Sequence, residues 1–221
     1  MLGVSVVKPQ YGPTMPELVR GLPRPARVVV LTLVGLLGVG AVVLALAARP
    51  DETNVIVRGP VTFNITYGSQ LTRVTRPGAL LALRRERNGL FLDSYAVRPL
   101  ELPPYRGAAA GILPLYSVAY AKALRKRYGD YELVLEGRTR INNGVGYQLV
   151  LRAKRGMRAL YVRHLLLVPD EPEGSRRGVV VELESTPAAG TPNAVGIGDA
   201  GPLKPAMRSF RFGTSREGGT E

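Results

Sequence analysis

Residues 80–97, LLALRRERNGLFLDSYAV, decide the fold class of this chain. Two runs with strand-like alternation, 80–87 and 90–97, flank the dipeptide Asn88-Gly89. This dipeptide favours the tight turn of a β-hairpin because both of its residues tolerate a positive φ. The two runs are therefore predicted to pair as antiparallel strands.

Further strands are predicted on both sides of this hairpin, and turns join most of them. One helix is predicted to begin at Pro114, where a missing N–H is harmless, and to end before Gly129. Strands joined by turns, with one long helix, favour an α+β antiparallel β-sheet domain rather than a parallel sheet. The strands are predicted at 55–57, 61–65, 131–136, 147–153, 159–168 and 179–183, with a last edge strand at 209–212.

The N-terminal part of the chain contains one long apolar stretch. Residues 28–48, VVVLTLVGLLGVGAVVLALAA, carry no charge and are long enough as a helix to cross the roughly 30 Å core of a bilayer. A single transmembrane helix is therefore predicted. The alternative is a signal peptide cleaved near Ala47, because Ala45-Leu46-Ala47 has the small-x-small form of a cleavage site. The length of the stretch and the 27 residues before it favour a retained anchor.

Charges beside the span predict its orientation. Four cations precede it, opposed by Glu17: Lys8, Arg20, Arg24 and Arg27. The positive-inside rule therefore places the N-terminus in the cytoplasm and the C-terminal domain outside, at the cell membrane. The predicted organisation is a cytoplasmic tail (1–27), a transmembrane helix (28–48), a linker (49–54), an extracytoplasmic domain (55–213) and a disordered tail (214–221).

Composition excludes several kinds of site. The 221 residues include no Cys and a single His, which excludes disulfide scaffolds, thiol catalysis, Cys zinc sites and multi-His metal centres. The GxGxxG pattern at 196–201 follows a Pro/Gly/Ala-rich segment and predicts a loop rather than a dinucleotide site. No catalytic residue, cofactor or metal is predicted. The enzymatic alternative is an envelope hydrolase or transferase that uses Asp93, Ser94 or His164.

Other polar and aromatic residues are given structural interpretations. Asn64 is predicted to be a surface strand residue, and the loop with Asp170, Glu171 and Glu173 a solvated one. Tyr116 and Tyr120, one helical turn apart, are predicted to pack the helix on the sheet.

The basic excess is the strongest surface signal. Thirty Lys+Arg against 17 Asp+Glu give a net charge of +13. Such clusters attract anionic lipid headgroups or wall polymers. Nucleic acid is not expected, because no aromatic-basic recognition motif is present. Nine residues are candidates for an anion-binding surface: Arg84, Arg85, Arg87, Arg125, Lys126, Arg127, Lys154, Arg155 and Arg158.

The order of elements resembles the PsbP-like fold. The resemblance rests on the strand RTRIN (138–142), which leads through a glycine-containing turn to Gly146-Tyr147, on LLLVP (165–169) and on SFRF (209–212). It implies a central antiparallel sheet flanked by helices, in a family of mainly non-catalytic accessory or partner-binding modules. The leading hypothesis is therefore a membrane-anchored, non-enzymatic extracytoplasmic domain that binds an envelope protein partner. Electrostatic docking to anionic lipid or cell-wall polymer is a further alternative.

Retention of the apolar stretch is testable on the chain as isolated from membranes. Because the stretch exceeds the usual signal-peptide core of about 15 residues, the intact mass is expected to include residues 1–48. Intact-protein mass spectrometry checks this, and recovery of a chain that begins at Ala48 or Arg49 would contradict it.

Overall fold

The computed structural model describes residues 23–47, 51–170 and 175–214. The chain divides into two compact units, Met1–Pro50 and Asp51–Glu221. Most of the predicted cytoplasmic tail and of the predicted disordered tail lies outside the described residues, as do Glu171 and Glu173.

The first unit contains helix α1, Arg24–Ala47. It includes all of the predicted span except residue 48 and begins four residues earlier than predicted. Large apolar side chains along it are exposed, from Val28 (64%) to Val39 (63%). The side chains of α1 are described as far as Val39. Within the described residues, no helical segment has both the length and the hydropathy that a membrane span requires.

The second unit is built mainly of strands. Its described helices are α2 (Ala109–Tyr128) and α3 (Lys204–Ser209), with 3₁₀-helices at Pro187–Ala189 and Gly201–Leu203. Its described strands are β1 (Glu52–Val57), β2 (Phe63–Gly68), β3 (Thr72–Arg73), β4 (Leu81–Arg87), β5 (Leu90–Glu101), β6 (Glu132–Ile141), β7 (Gly144–Arg155), β8 (Arg158–Pro169), β9 (Arg177–Ser185) and β10 (Arg211–Phe212).

The strands form two antiparallel sheets. The larger has seven strands in the order β3-β4-β5-β9-β8-β7-β6, and the smaller has the order β1-β2-β10. The predicted hairpin is confirmed, since Leu81 pairs with Val97 and the turn has φ of 52° at Asn88 and 72° at Gly89. The α+β antiparallel fold class is therefore confirmed.

Each face of the seven-stranded sheet carries a hydrophobic core. One core lies against the smaller sheet and α3, and the other lies against α2. Strand β8 contributes to both, because Leu165 and Leu167 point into the first core while Leu166 and Val168 point into the second. The central strands are thus buried on both faces.

Several predicted boundaries are wrong. Helix α2 begins at Ala109, five residues before Pro114, so this proline lies inside the helix rather than at its start; the end before Gly129 is as predicted. The predicted linker 49–54 is too long, since residues 52–54 already pair with β2. The predicted edge strand 209–212 is reduced to β10, which follows α3.

Two predicted environments also differ. Asn64 is 3% exposed rather than on the surface, and its side chain donates a hydrogen bond of 3.0 Å to the Gly213 carbonyl. Strand β2 is covered on the face that the sequence pattern assigns to solvent. The segment 196–201 forms turns, as predicted for a loop, although Ile197 within it is buried.

Close approach between β8 and β9 generates a test of the packing. A Cβ on Gly178 would lie 2.1 Å from the Leu167 carbonyl oxygen, whereas one on Gly137 would have no atom within 4 Å. Gly178→Ala is expected to lower the free energy of unfolding by about 3 kcal/mol, and Gly137→Ala by less than about 1 kcal/mol. Urea denaturation followed by far-ultraviolet circular dichroism measures both, and equal midpoints would contradict this account.

Candidate functional site

Strand β9 places two carboxylates beneath α2. Glu182 and Glu184 are two residues apart and therefore share the face of the sheet that α2 covers, where their side chains are 3% and 2% exposed. His164 pairs with Glu182 across β8 and β9 and is fully buried. Buried charges of this kind persist in a core only when they are paired and hydrogen-bonded.

Four arginines supply the pairing, and we call them the arginine cluster: Arg76, Arg98, Arg127 and Arg155. Arg127 of α2 binds both carboxylates, with 2.8 Å from Nη1 to Glu182 Oε2. Arg76, from the segment between β3 and β4, also contacts both, at 3.4 and 3.8 Å. Arg98 of β5 lies 3.2 Å from Glu182, and Arg155, at the end of β7, lies 2.8 Å from Glu184.

The cluster carries more positive than negative charge. Burial alone would raise the pKa of Glu184, but the charge of Arg127 and the hydrogen bond from Tyr128 lower it to about 2. Against the cost of burial, the surrounding charges also lower the pKa of Glu182. With both carboxylates ionised, four guanidinium groups face two negative charges, and the surplus is positive.

A directed chain of hydrogen bonds connects α2 to these carboxylates. Burial lowers the pKa of His164 to about 4, so its imidazole is neutral at pH 7. The Tyr128 hydroxyl donates to Glu184 Oε1 at 2.7 Å and lies 3.2 Å from His164 Nε2. Because its one proton is committed to Glu184, Tyr128 accepts a hydrogen bond from Nε2–H. The other nitrogen, Nδ1, then accepts from the Tyr120 hydroxyl at 2.6 Å.

Two cavities lie in line along β5 and β9 on this face, and with the arginine cluster they form what we call the arginine cleft. The first cavity has a volume of about 300 Å³ and is lined by Arg76, Arg84, Phe91, Ser94, Arg155 and Glu184, beside the small side chains of Ala82 and Ala96. The second has a volume of about 370 Å³ and is lined by Arg98, Tyr116, Tyr120, Arg127 and Glu182.

The arginines of the cleft are held in place yet remain accessible. Arg84 and Arg155 lie over the ring of Phe91, at 5.4 and 5.6 Å from its centroid. The side chains of the arginine cluster are 26–55% exposed, so each contacts a buried carboxylate while part of it stays open to solvent. Planar guanidinium groups fixed in this way can bind a carboxylate or a phosphate through two parallel hydrogen bonds.

The structure brings most of the predicted basic residues to one end of the seven-stranded sheet, where β4 and β7 end. Arg84, Arg127 and Arg155 line the cleft. Arg85 instead binds Asp93, with 2.6 Å from Nε to Oδ2, and the Ala189 carbonyl at 3.1 Å. The others are exposed: Arg87, Arg125, Lys126, Lys154 and Arg158.

Sequence reasoning missed Arg76, Arg98, Glu182 and Glu184. Neither arginine stands in a run of cations. A signal for the carboxylates exists in VVVELES (179–185), where two glutamates alternate within an apolar strand.

The enzymatic constellation considered from the sequence is not assembled. Asp93 accepts a hydrogen bond from Ser185 at 2.6 Å and pairs with Arg85, whereas Ser94 lies 3.5 Å from Glu184. Both ring nitrogens of His164 are taken by tyrosines. Tyr116 and Tyr120 pack against the core beneath α2, as predicted, and also line the second cavity. In the described ranges, no group of three or more His, Asp or Glu could hold a metal ion.

The buried histidine generates a prediction about stability and pH. His164 titrates near its ordinary pKa of 6.5 in the unfolded chain and at about 4 in the folded one, so the unfolded state takes up the proton first as pH falls. About 3 kcal/mol of stability is therefore expected to be lost between pH 6.5 and 4. Glu184, whose folded pKa is depressed, causes further loss as pH falls from 4.5 towards 2.

The measurement is urea denaturation across this pH range for the wild type and His164→Gln. The variant is expected to be less stable at pH 7 but to have a flatter pH dependence between pH 6.5 and 4.5. Parallel curves for the two proteins would contradict the assignment.

Comparison with known proteins gives similarities of structure only. No protein-family model matches the chain, and no curated protein matches its sequence. The structure is similar to the Ran-binding protein Mog1p of Saccharomyces cerevisiae, with 8% identity, a TM-score of 0.46, and coverage of 74% of this chain and 96% of that one. It is also similar to cyanobacterial PsbP (CyanoP) from Synechocystis sp. PCC 6803, with 13% identity, a TM-score of 0.46, and coverage of 75% and 94%.

A third similar structure is PA94 of Pseudomonas aeruginosa, a protein of unknown function, with 16% identity, a TM-score of 0.34, and coverage of 64% and 74%. The predicted resemblance to the PsbP-like fold is thus confirmed, as a weak likeness of structure. No function is carried over from it.

Proposed function

We propose that this chain is a membrane-anchored binding domain that receives an acidic segment of a partner protein in the arginine cleft, without catalysing a reaction. One observation carries the proposal: four arginines surround two buried carboxylates, and their surplus positive charge faces two open cavities. A ligand carboxylate in either cavity would compensate this surplus.

The shape of the cleft favours a chain segment over a single small anion. Each cavity is at the lower limit of about 300 Å³ that is usual for small-molecule pockets. The two lie in line along β5 and β9, and no arginine lines both. The first has Arg76, Arg84 and Arg155, and the second has Arg98 and Arg127. An extended acidic segment could place one carboxylate in each cavity.

The chemistry of the cleft favours binding over turnover. A general acid or base works best with a pKa near the working pH. The pKa of Glu184 is held at about 2 and that of His164 at about 4, so neither group changes its protonation near pH 7. Asp93, Ser94 and His164 each hydrogen-bond other residues rather than one another, so the hydrolase or transferase alternative has less support than binding.

The anchor in this proposal is α1. Its 24 residues carry an uncharged sequence from Val28 to its end, and the described apolar side chains in it are exposed. A helix of about 20 apolar residues is long enough for a bilayer core. The positive-inside rule then places Asp51–Glu221 on the extracytoplasmic side.

Binding of a fluorescein-labelled hexaglutamate peptide to the full-length protein in detergent micelles tests the cleft. The double variant Arg84→Gln/Arg98→Gln removes one guanidinium from each cavity. Each loss removes charge-assisted hydrogen bonds, so a decrease in affinity of about tenfold or more is expected by fluorescence anisotropy.

The matched control is Arg138→Gln/Arg152→Gln, which removes the same charge from β6 and β7 outside the cleft. Its affinity for the peptide is expected to change by less than about twofold, because physiological salt screens the effect of charges distant from the cleft. Equal losses in the two double variants, or no binding of the peptide by the wild type, would overturn the proposal. Thermal unfolding of each variant verifies that the fold is kept.

A further inference from the structure

Two neighbouring hairpin tips each present an exposed apolar side chain. Met157, in the turn between β7 and β8, is 100% exposed, and Leu90, after the turn between β4 and β5, is 53% exposed. The hairpins meet below their tips, where Arg84 of one and Arg155 of the other lie over the ring of Phe91. The fully exposed Met157 gains no burial from the fold of this domain, and Leu90 gains only about half.

Exposed cations surround these two side chains. Arg87 precedes the first turn, Lys154 and Arg158 flank the second, and Arg125 and Lys126 lie in the last turn of α2 at the same end of the sheet. Across the described residues, none of these five has a carboxylate oxygen within 4 Å. We call the seven residues the basic tip surface: Arg87, Leu90, Arg125, Lys126, Lys154, Met157 and Arg158.

Acidic groups near this surface are mostly neutralised within the domain. Glu86 is bound by Arg84 at 2.5 Å, and Glu132 lies 3.4 Å from Arg152. Asp130, just after α2, is exposed. The field in front of the hairpin tips is therefore positive.

The start of the domain lies towards the same end. The Asp51 carbonyl accepts a hydrogen bond from the Ser69 N–H at 2.9 Å. Three residues later Thr72 pairs with Arg84, and Arg84 is three residues from Arg87 at the hairpin tip. Because Thr72 pairs with Arg84 and Arg73 with Leu83, β3 runs away from the hairpin tip, and the chain before Thr72 approaches from the tip end of β4. In the sequence, two residues separate Asp51 from the end of the predicted span.

We propose that the basic tip surface docks on an anionic lipid bilayer, with Met157 and Leu90 inserted at the boundary of headgroups and acyl chains and the cations paired with lipid phosphates. Apolar side chains among cations suit an interface that is apolar below and negatively charged above. A short connection to a membrane-embedded helix makes that bilayer the nearest such surface. The inference rests on the anchor of the proposed function but not on the ligand of the cleft.

The absence of tryptophan from the chain gives a direct test. Full-length protein carrying Met157→Trp is reconstituted in nanodiscs of neutral phosphatidylcholine or of an equimolar mixture with anionic phosphatidylglycerol. The emission maximum of the single tryptophan is expected to shift to shorter wavelength in the anionic nanodiscs, and the shift is expected to decrease as salt screens the attraction. The matched reporter is Ile56→Trp on β1, which is 40% exposed, and its emission is expected not to change.

Charge variants in the Met157→Trp background separate docking from a nonspecific effect. Arg87→Gln/Lys154→Gln/Arg158→Gln is expected to abolish the shift. Arg138→Gln/Arg177→Gln/Arg208→Gln, which removes the same charge from exposed residues elsewhere on the domain, is expected to retain it.

Three results would overturn the inference: equal emission in neutral and anionic nanodiscs, equal loss in the two triple variants, or a shift that occurs only when native membrane proteins are present. The last result would assign the surface to an acidic protein instead. Failure of the chain to co-elute with nanodiscs would refute the anchor itself, so the two failures are distinguishable.

Discussion

The binding of Glu182 and Glu184 by the arginine cluster is the interaction on which the arrangement of this domain depends. It joins β9 to the segment before β4, to β5, to α2 and to the end of β7. Removing one partner of such a buried pair costs about 3–5 kcal/mol, because the other charge is left uncompensated. Since Arg127 and Tyr128 both come from the last turn of α2, the cluster fixes where the helix ends on the sheet.

Holding a helix on a sheet with such a cluster costs free energy, because the buried charges must be desolvated. Apolar residues of similar volume are often as stabilising as a buried ion pair, or more so. What apolar residues cannot provide is a set of guanidinium groups fixed beside open cavities. This favours the proposed anion-binding role of the cluster over a purely stabilising one. In that proposal its carboxylates keep the arginines in place while the cleft is empty.

The sequence predicts the framework of this domain better than its site. Turn chemistry and alternation are local, so Asn88-Gly89 and Gly129 predict the hairpin and the end of α2 correctly. Burial of Asn64 depends on the return of the C-terminal segment, whose Gly213 carbonyl accepts its hydrogen bond, and no local pattern contains this long-range contact. The same holds for the cleft, because Arg76 and Arg98 become neighbours of Glu182 only through the order of strands in the sheet. Runs of cations show where positive charge is concentrated along the chain but not where each side chain points. Arg84 and Arg85 are adjacent, yet the first lines the cleft and the second binds Asp93.

The hydrogen-bond chain from Tyr120 to Glu184 makes proton transfer inside the cluster unfavourable. Its donors point one way, from Tyr120 to His164, from His164 to Tyr128 and from Tyr128 to Glu184. It ends on a carboxylate that three of the cluster's arginines keep ionised. Passing a proton along it would need either a protonated Glu184 or a charged His164, and the surrounding arginines and the burial oppose both. The positive charge of the cleft is thus insensitive to pH near neutrality, and a ligand bound there meets a fixed electrostatic field rather than a titrating group.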